Sequence, residues 1–200
     1  MRLLVSSAPK ILPSLLPRYQ GRLGTLVTPA NGELAQAMRL HASHGLPWAA
    51  DNAAFKGFDE EPWLRMLDRI KSLPGCLWVA VPDKVGDAAA TLELWKRWSP
   101  VARRRSGQPL AWVSQDGAER TRIPWRSMDA VFVGGTDSWK FSAASADLCS
   151  EAVRRGKAVH VGRCNSAKRY RIAESMGAST VDGTNVCMFP DTHLPRMARL

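Results

Sequence analysis

Three aspartates in this chain stand where an apolar run gives way to small and polar residues. Asp51 ends Trp48-Ala49-Ala50-Asp51. Asp83 ends the run 77–83, just behind Pro82. Asp182 ends the run 179–182 and is followed by Gly183, Thr184 and Asn185. Carboxylates brought to one place raise each other's pKa, so one can carry a proton while another stays ionised. The bland alternative is that each aspartate caps the helix that follows it. Three acids together, with the amide of Gln115 at the end of the run 110–115, favour chemistry over capping. Asp116 and Asp137 read instead as caps or solvent-facing groups.

Other residues near the ends of apolar runs could serve a ligand. Gly134-Gly135 would let one approach the backbone, whose N–H groups can donate to a carbonyl or phosphate; a tight turn is the other reading. Arg163, in Gly162-Arg163-Cys164-Asn165, could hold a phosphate or be surface charge. Basic residues cluster at Arg103, Arg104 and Arg105, at 154–157, and at 168–171, which includes Lys168 and Arg169. Each cluster alone would pass for a solvated helix face. Trp139, just after the glycine pair, could stack on a base, although packing explains it better, as it does Trp78 and Trp112 inside their runs.

These residues need elements to hold them. Eight apolar runs of strand length recur, at 3–7, 25–28, 48–51, 77–83, 110–115, 130–133, 158–161 and 179–182. They are nearly continuous rather than alternating, the pattern of parallel strands buried on both faces. Amphipathic helix patterns lie between them at 33–44, 60–73, 87–98, 142–155 and 167–176. Pro62 suits a helix start, and Gly156 and Gly177 suit the position beyond a helix end. Pro100 should lie outside its helix. The gap 117–125 makes a doubtful helix, and the first connection, with Pro9, Pro13 and Pro17, should be irregular. Eight strands alternating with helices predict a (β/α)8 barrel in a single domain over residues 1–200, rather than an open doubly wound sheet. In such a barrel the active site is built from the C-terminal ends of the strands, where the residues above fall.

Composition narrows the partners. The chain has 28 basic and 18 acidic residues, a net charge of +10, which favours a polyanion such as nucleic acid. No apolar run reaches the roughly 18 residues of a membrane span, and the run 3–7 is too short for a signal peptide. Cys76, Cys149, Cys164 and Cys187 form no C-x-x-C pair and have no zinc-ligand spacing with His160 or His193. They read as reduced thiols of a cytoplasmic protein.

Taken in order, the strand ends resemble those of the tRNA-guanine transglycosylases, (β/α)8 enzymes that exchange guanine for a 7-deazaguanine without cutting the backbone. Asp51-Asn52-Ala53-Ala54-Phe55 is similar to the family's Asp-Ser-Gly-Gly-Phe. Asp83 matches a later aspartate that reads the guanine edge. Ser114-Gln115-Asp116-Gly117 resembles Val-Gln-Gly, Gly134-Gly135 matches a Gly-Gly loop, and residues 177–182 resemble the approach to the nucleophilic aspartate. The likeness runs through residues 47–185. It departs at the end, where only residues 183–200 follow Asp182 and hold one cysteine. The family's Cys-x-Cys-x-x-Cys zinc site has no counterpart there. The chain therefore looks more like the compact paralogues, known from phages and bacterial DNA-modification clusters, that place deazaguanines in DNA.

The resemblance implies a mechanism. Asp182 would attack C1′ and form a glycosyl ester. Asp51 would be the general acid and base. Asp83 would accept from the N1–H and the exocyclic amine of guanine, and Gln115 and the Gly135 N–H would donate to O6. Asn52, Phe55 and Gly134 would complete the base site, and Arg163, Arg103, Arg104, Arg105, Lys168 and Arg169 would face the nucleic acid. The partners would be DNA, or alternatively RNA, and a free base such as 7-cyano-7-deazaguanine, with no metal or cofactor. The location would be a bacterial cytoplasm. Two other readings stay open: a barrel enzyme acting on a small phosphorylated metabolite, with its phosphate after strands seven and eight, and a nucleic-acid-binding module without catalysis.

Overall fold

A computed structural model describes residues 1–6, 12–19, 21–30, 33–183, 185–189 and 192–193. Its strands are β1 (Arg2–Val5), β2 (Leu23–Val27), β3 (Trp48–Ala50), β4 (Cys76–Ala80), β5 (Leu110–Ser114), β6 (Ala130–Val133), β7 (Ala158–Val161) and β8 (Thr180–Asp182). They pair in chain order into a closed barrel. Closure comes from β8 lying parallel to β1, with Leu3 opposite Val181 and Leu4 opposite Asp182. The open sheet is thereby excluded, and the fold is a (β/α)8 barrel.

The continuous runs are explained by burial on both faces. Alternate residues of each strand point opposite ways. Leu4, Leu26, Ala49, Trp78, Ala111 and Val113 pack together inside the barrel. Their neighbours Leu3, Trp48, Val79 and Trp112 pack outward against the helices. Leu67 and Ile70 seal that outer layer and are wholly buried, which stabilises the fold by about 1.5–3 kcal/mol for each such side chain.

The helices are α1 (Leu12–Tyr19), α2 (Glu33–His44), α3 (Glu60–Arg69), α4 (Ala88–Ser106), α5 (Asp137–Lys140), α6 (Ala143–Arg154), α7 (Ala167–Ser175) and α8 (Asn185–Met188). Asp87, Ser142 and Ser166 cap α4, α6 and α7 by accepting from backbone N–H groups in the first turn. Gly156 and Gly177 take left-handed φ of +67° and +82° beyond α6 and α7, as their positions predicted.

Two expectations about prolines need correction. The first connection is not irregular throughout, because α1 forms across Pro13 and Pro17, with Leu12, Leu16 and Tyr19 as its buried stripe. Pro13 sits in the first turn, where an N–H has no helical partner, and the carbonyl that Pro17 leaves unbonded belongs to the exposed Pro13. Pro100 does not end its helix; α4 runs on to Ser106. Pro100 and Lys96, whose carbonyl loses its bond, are both exposed residues, a position where the loss costs least. The gap 117–125 holds only a 3-10 turn, Ala118–Arg120. β1 also stops at Val5, short of the predicted run, and residues 7, 9 and 184 lie outside the described residues.

Candidate active site

The inward positions of the strands continue one step into the loops. Asp51 lies two residues beyond Ala49, Gln115 two beyond Val113, Gly134 two beyond Phe132 and Gly162 two beyond His160, while Asp182 closes β8 two beyond Thr180. This spacing aims them all at the axis of the barrel mouth. There they line one cavity of about 120 Å³ together with Asn52, Phe55, Asp83, Gly135, Lys140 and Arg163. Nine of the residues singled out from the sequence are therefore neighbours: Asp51, Asn52, Phe55, Asp83, Gln115, Gly134, Gly135, Arg163 and Asp182.

Asp83 breaks the two-residue spacing because Pro82 intervenes, and side-chain bonds hold it in place. Asn52 Nδ2 donates to its Oδ1 at 2.8 Å and Gln115 Nε2 to its Oδ2 at 2.6 Å. Asn52 Nδ2 also reaches the Val81 carbonyl, and Gln115 Oε1 accepts from Gly86 N. Both amides are thus fixed in orientation. Burial pushes the Asp83 carboxyl up to about 6, with the charge of Asp51 adding to the rise and the two amides opposing it. Gly134 has to be glycine, since a Cβ there would meet Gln115 Nε2 at 2.7 Å. Its N–H bonds the Ser114 carbonyl, whereas the Gly135 N–H has no acceptor among the described residues. Asp116 ties the neighbouring loops together by accepting from the backbone and hydroxyl of Thr136. Trp139 is 9% exposed and donates to Glu119, a packing role.

Across the cavity Asp182 is anchored through one oxygen. Its Oδ1 lies 3.1 Å from His160 Nε2 and accepts from Arg163 N at 2.9 Å. Oδ2 has no partner among the described residues. Asp51 accepts from Ala53 N, and its carboxyl is raised, first by burial and then by the charge of Asp182. Burial and the neighbouring charge thus favour the protonated form of Asp51, the state expected of a proton carrier.

Strain collects in these loops. Ala53 and Arg163 have left-handed φ of 59° and 60°, a state that costs a non-glycine residue on the order of 1–3 kcal/mol and clusters at functional sites. The turn at Arg163 aims its N–H at Asp182. Its guanidinium lies 3.4 Å above the Phe55 ring centroid, and Phe55 is 63% exposed at the rim.

The basic clusters separate by position. Lys168 and Arg169 begin α7 on the mouth side, where Arg169 pairs with Asp137. Arg103, Arg104 and Arg105 end α4, and helices run back against the strands. Arg103 pairs with Asp129, just ahead of β6, and donates to the Ser127 carbonyl. This trio therefore lies at the end of the barrel opposite the cavity, apart from Lys168 and Arg169. The cluster 154–157 closes α6 at that same far end.

Two site residues escaped the sequence reading. His160 is wholly buried, and a histidine inside an apolar strand two residues short of a strand-end glycine was the available signal. Lys140 is also buried, with its Nζ donating to the Gly162 carbonyl at 3.0 Å. Burial lowers its pKa. Nothing in its local sequence marks it. Cys164 sits behind Asp182, but burial and that negative charge push its thiol up to about 12, which leaves it inert as a nucleophile.

No protein-family model matches the chain, and no match among the curated proteins was found.

Proposed function

We propose that this chain is a guanine transglycosylase that exchanges guanine in DNA for a 7-deazaguanine base. The observation that carries this reading is the pairing of an anchored carboxylate, Asp182, with a raised one, Asp51, in a cavity whose other wall is the Asp83–Gln115–Asn52 network. The cavity has the scale of one flat heterocycle, so the nucleotide must be extruded from the stack to reach it.

In the first displacement an oxygen of Asp182 attacks C1′. The C1′–N9 bond breaks, and guanine leaves with a proton supplied by Asp51. The incoming base binds in the same place and gives its N9 proton back to Asp51. Its nitrogen attacks C1′ and Asp182 departs, so two inversions retain configuration. The ionised form of Asp83 has lone pairs left for the N1–H and exocyclic amine of guanine beyond those used by Asn52 and Gln115. The Gly135 N–H is available to O6. Gln115 has one amide hydrogen beyond the bond to Asp83.

Ala53 adds support, since its left-handed backbone occupies the first glycine position of the Asp-Ser-Gly-Gly-Phe signature. The phosphorylated-metabolite reading is weakened, because the backbone N–H groups after β7 serve Asp182. Arg163 N donates to its Oδ1 and Cys164 N to its carbonyl. The choice of DNA over RNA rests on the resemblance to the compact paralogues. The test is incubation with radiolabelled guanine and either DNA or transfer RNA. Label entering DNA supports the proposal, label entering only RNA moves the substrate, and label entering neither rejects it.

A further inference from the structure

We infer that His160 is a positioning residue for the nucleophile: it fixes Oδ1 of Asp182 so that Oδ2 is the oxygen that attacks C1′. The inference rests on the transglycosylase reading for its chemistry, but its geometry stands apart from it.

The argument begins with the ring. His160 is 0% exposed and wedged inside the barrel, with ring centroids 4.7 Å from Trp78 and 4.5 Å from Phe132. Such a ring cannot turn without disturbing the packing of two aromatic neighbours. Both nitrogens have partners. Nδ1 lies 3.0 Å from Thr180 Oγ1, and Nε2 lies 3.1 Å from Asp182 Oδ1. An ionised carboxylate only accepts, so Nε2 carries a proton and donates it to Oδ1. In the neutral ring Nδ1 then accepts from the Thr180 hydroxyl, which sets the tautomer.

The consequence is an asymmetric carboxylate. Oδ1 takes bonds from His160 Nε2 and Arg163 N, while Oδ2 takes none among the described residues. A Cβ on Gly162 would meet Oδ1 at 3.4 Å, so that oxygen is the one held against the loop. Donors on the spectator oxygen fix the plane of the carboxylate and direct Oδ2 along one line. Misplacing a reacting atom by about 1 Å can cost ~10²-fold in rate, which gives this clamp its role.

The experiment compares full-length variants by exchange kinetics. His160→Phe keeps the aromatic packing and removes the donor. It should lower kcat by roughly 10²-fold while leaving KM for base and DNA within about twofold. His160→Gln returns an N–H near the Nε2 position and should recover kcat to within about tenfold of wild type. Wild-type kcat in His160→Phe overturns the inference. So does an equal loss in both variants with a matching rise in KM, because that reports a packing role alone. Should His160→Phe fail to fold, Thr180→Val frees Nδ1 and should lower kcat by about tenfold, and an unchanged kcat there overturns the inference equally. Nitrogen-15 NMR of the His160 ring separates this inference from the activity it serves. An unprotonated Nε2 overturns the clamp even in an active enzyme. A protonated Nε2 in a protein without exchange activity upholds the clamp and rejects the function.

Discussion

At Asp83 a single side chain links pH to folding and, on the proposed function, to binding. Its carboxyl sits at about 6 in the folded protein against 3.8 when free. Between those values the folded chain holds more protons than the unfolded one. The stability associated with this group is therefore complete below about pH 4 and is lost as pH rises through 6, on the order of 3 kcal/mol in all. Guanine binding should move the other way, because only the ionised form accepts from both the N1–H and the amine. Calorimetric titration of guanine should show affinity rising through about pH 6 and flat above pH 7, and a flat profile from pH 5 to pH 8 would remove Asp83 from the base site. Asp83, Asp51, Gln115 and Asp182 were legible in the sequence because each ends an apolar run, and strand ends meet at one mouth in this fold. His160 and Lys140 were not, because their roles depend on contacts with residues distant in the chain, Thr180 with Asp182 and Gly162.

The elements show where local signals mislead. Proline was read as a helix terminator, yet α4 continues through Pro100 and α1 through Pro17. In both helices the residue with the unbonded carbonyl is exposed and other side chains of the helix are buried in the core, so packing outweighs the missing bond. Pro100→Ala restores a donor to the Lys96 carbonyl and should stabilise the protein by about 1–3 kcal/mol in urea unfolding, less whatever flexibility the unfolded chain regains. No gain would mean the helix is already distorted around the proline. The loop after β6 is less tolerant. Gly135 has φ +78°, and a Cβ there would meet Asp116 Oδ2 at 2.5 Å and Asp116 N at 3.3 Å. Gly135→Ala should therefore displace the N–H proposed to serve the base, weakening guanine binding at least tenfold by about 1.4 kcal/mol while far-ultraviolet circular dichroism stays unchanged. Full affinity in that variant would assign the glycine pair to turn geometry alone.

Across the whole molecule, the barrel was legible because eight doubly buried strands leave eight continuous apolar runs. The placement of the basic residues was only half legible. Net charge is a sum over the surface and carries no direction, so Arg103, Arg104 and Arg105 could not be told from Lys168 and Arg169 until the barrel's two ends were assigned. No helix among the described residues is long and apolar enough to cross a membrane. DNA affinity should fall with salt, log K being roughly linear in log salt with a slope of about −0.9 per phosphate neutralised. Lys168→Glu, at the mouth, should weaken binding and flatten that slope by about one contact or more, whereas Arg104→Glu, at the far end, should leave both unchanged. Equal effects from the two reversals would put the DNA across more of the surface than the mouth.

The covalent step is tested most directly by trapping. DNA incubated with the protein and a deazaguanine, then run under denaturing conditions, should give an adduct with wild-type protein. Asp182→Asn should give none and should exchange bases several orders of magnitude more slowly, while still binding DNA. Asp51→Asn should exchange poorly yet still form the adduct, because Asp182 remains. Near wild-type exchange by Asp182→Asn would contradict the account.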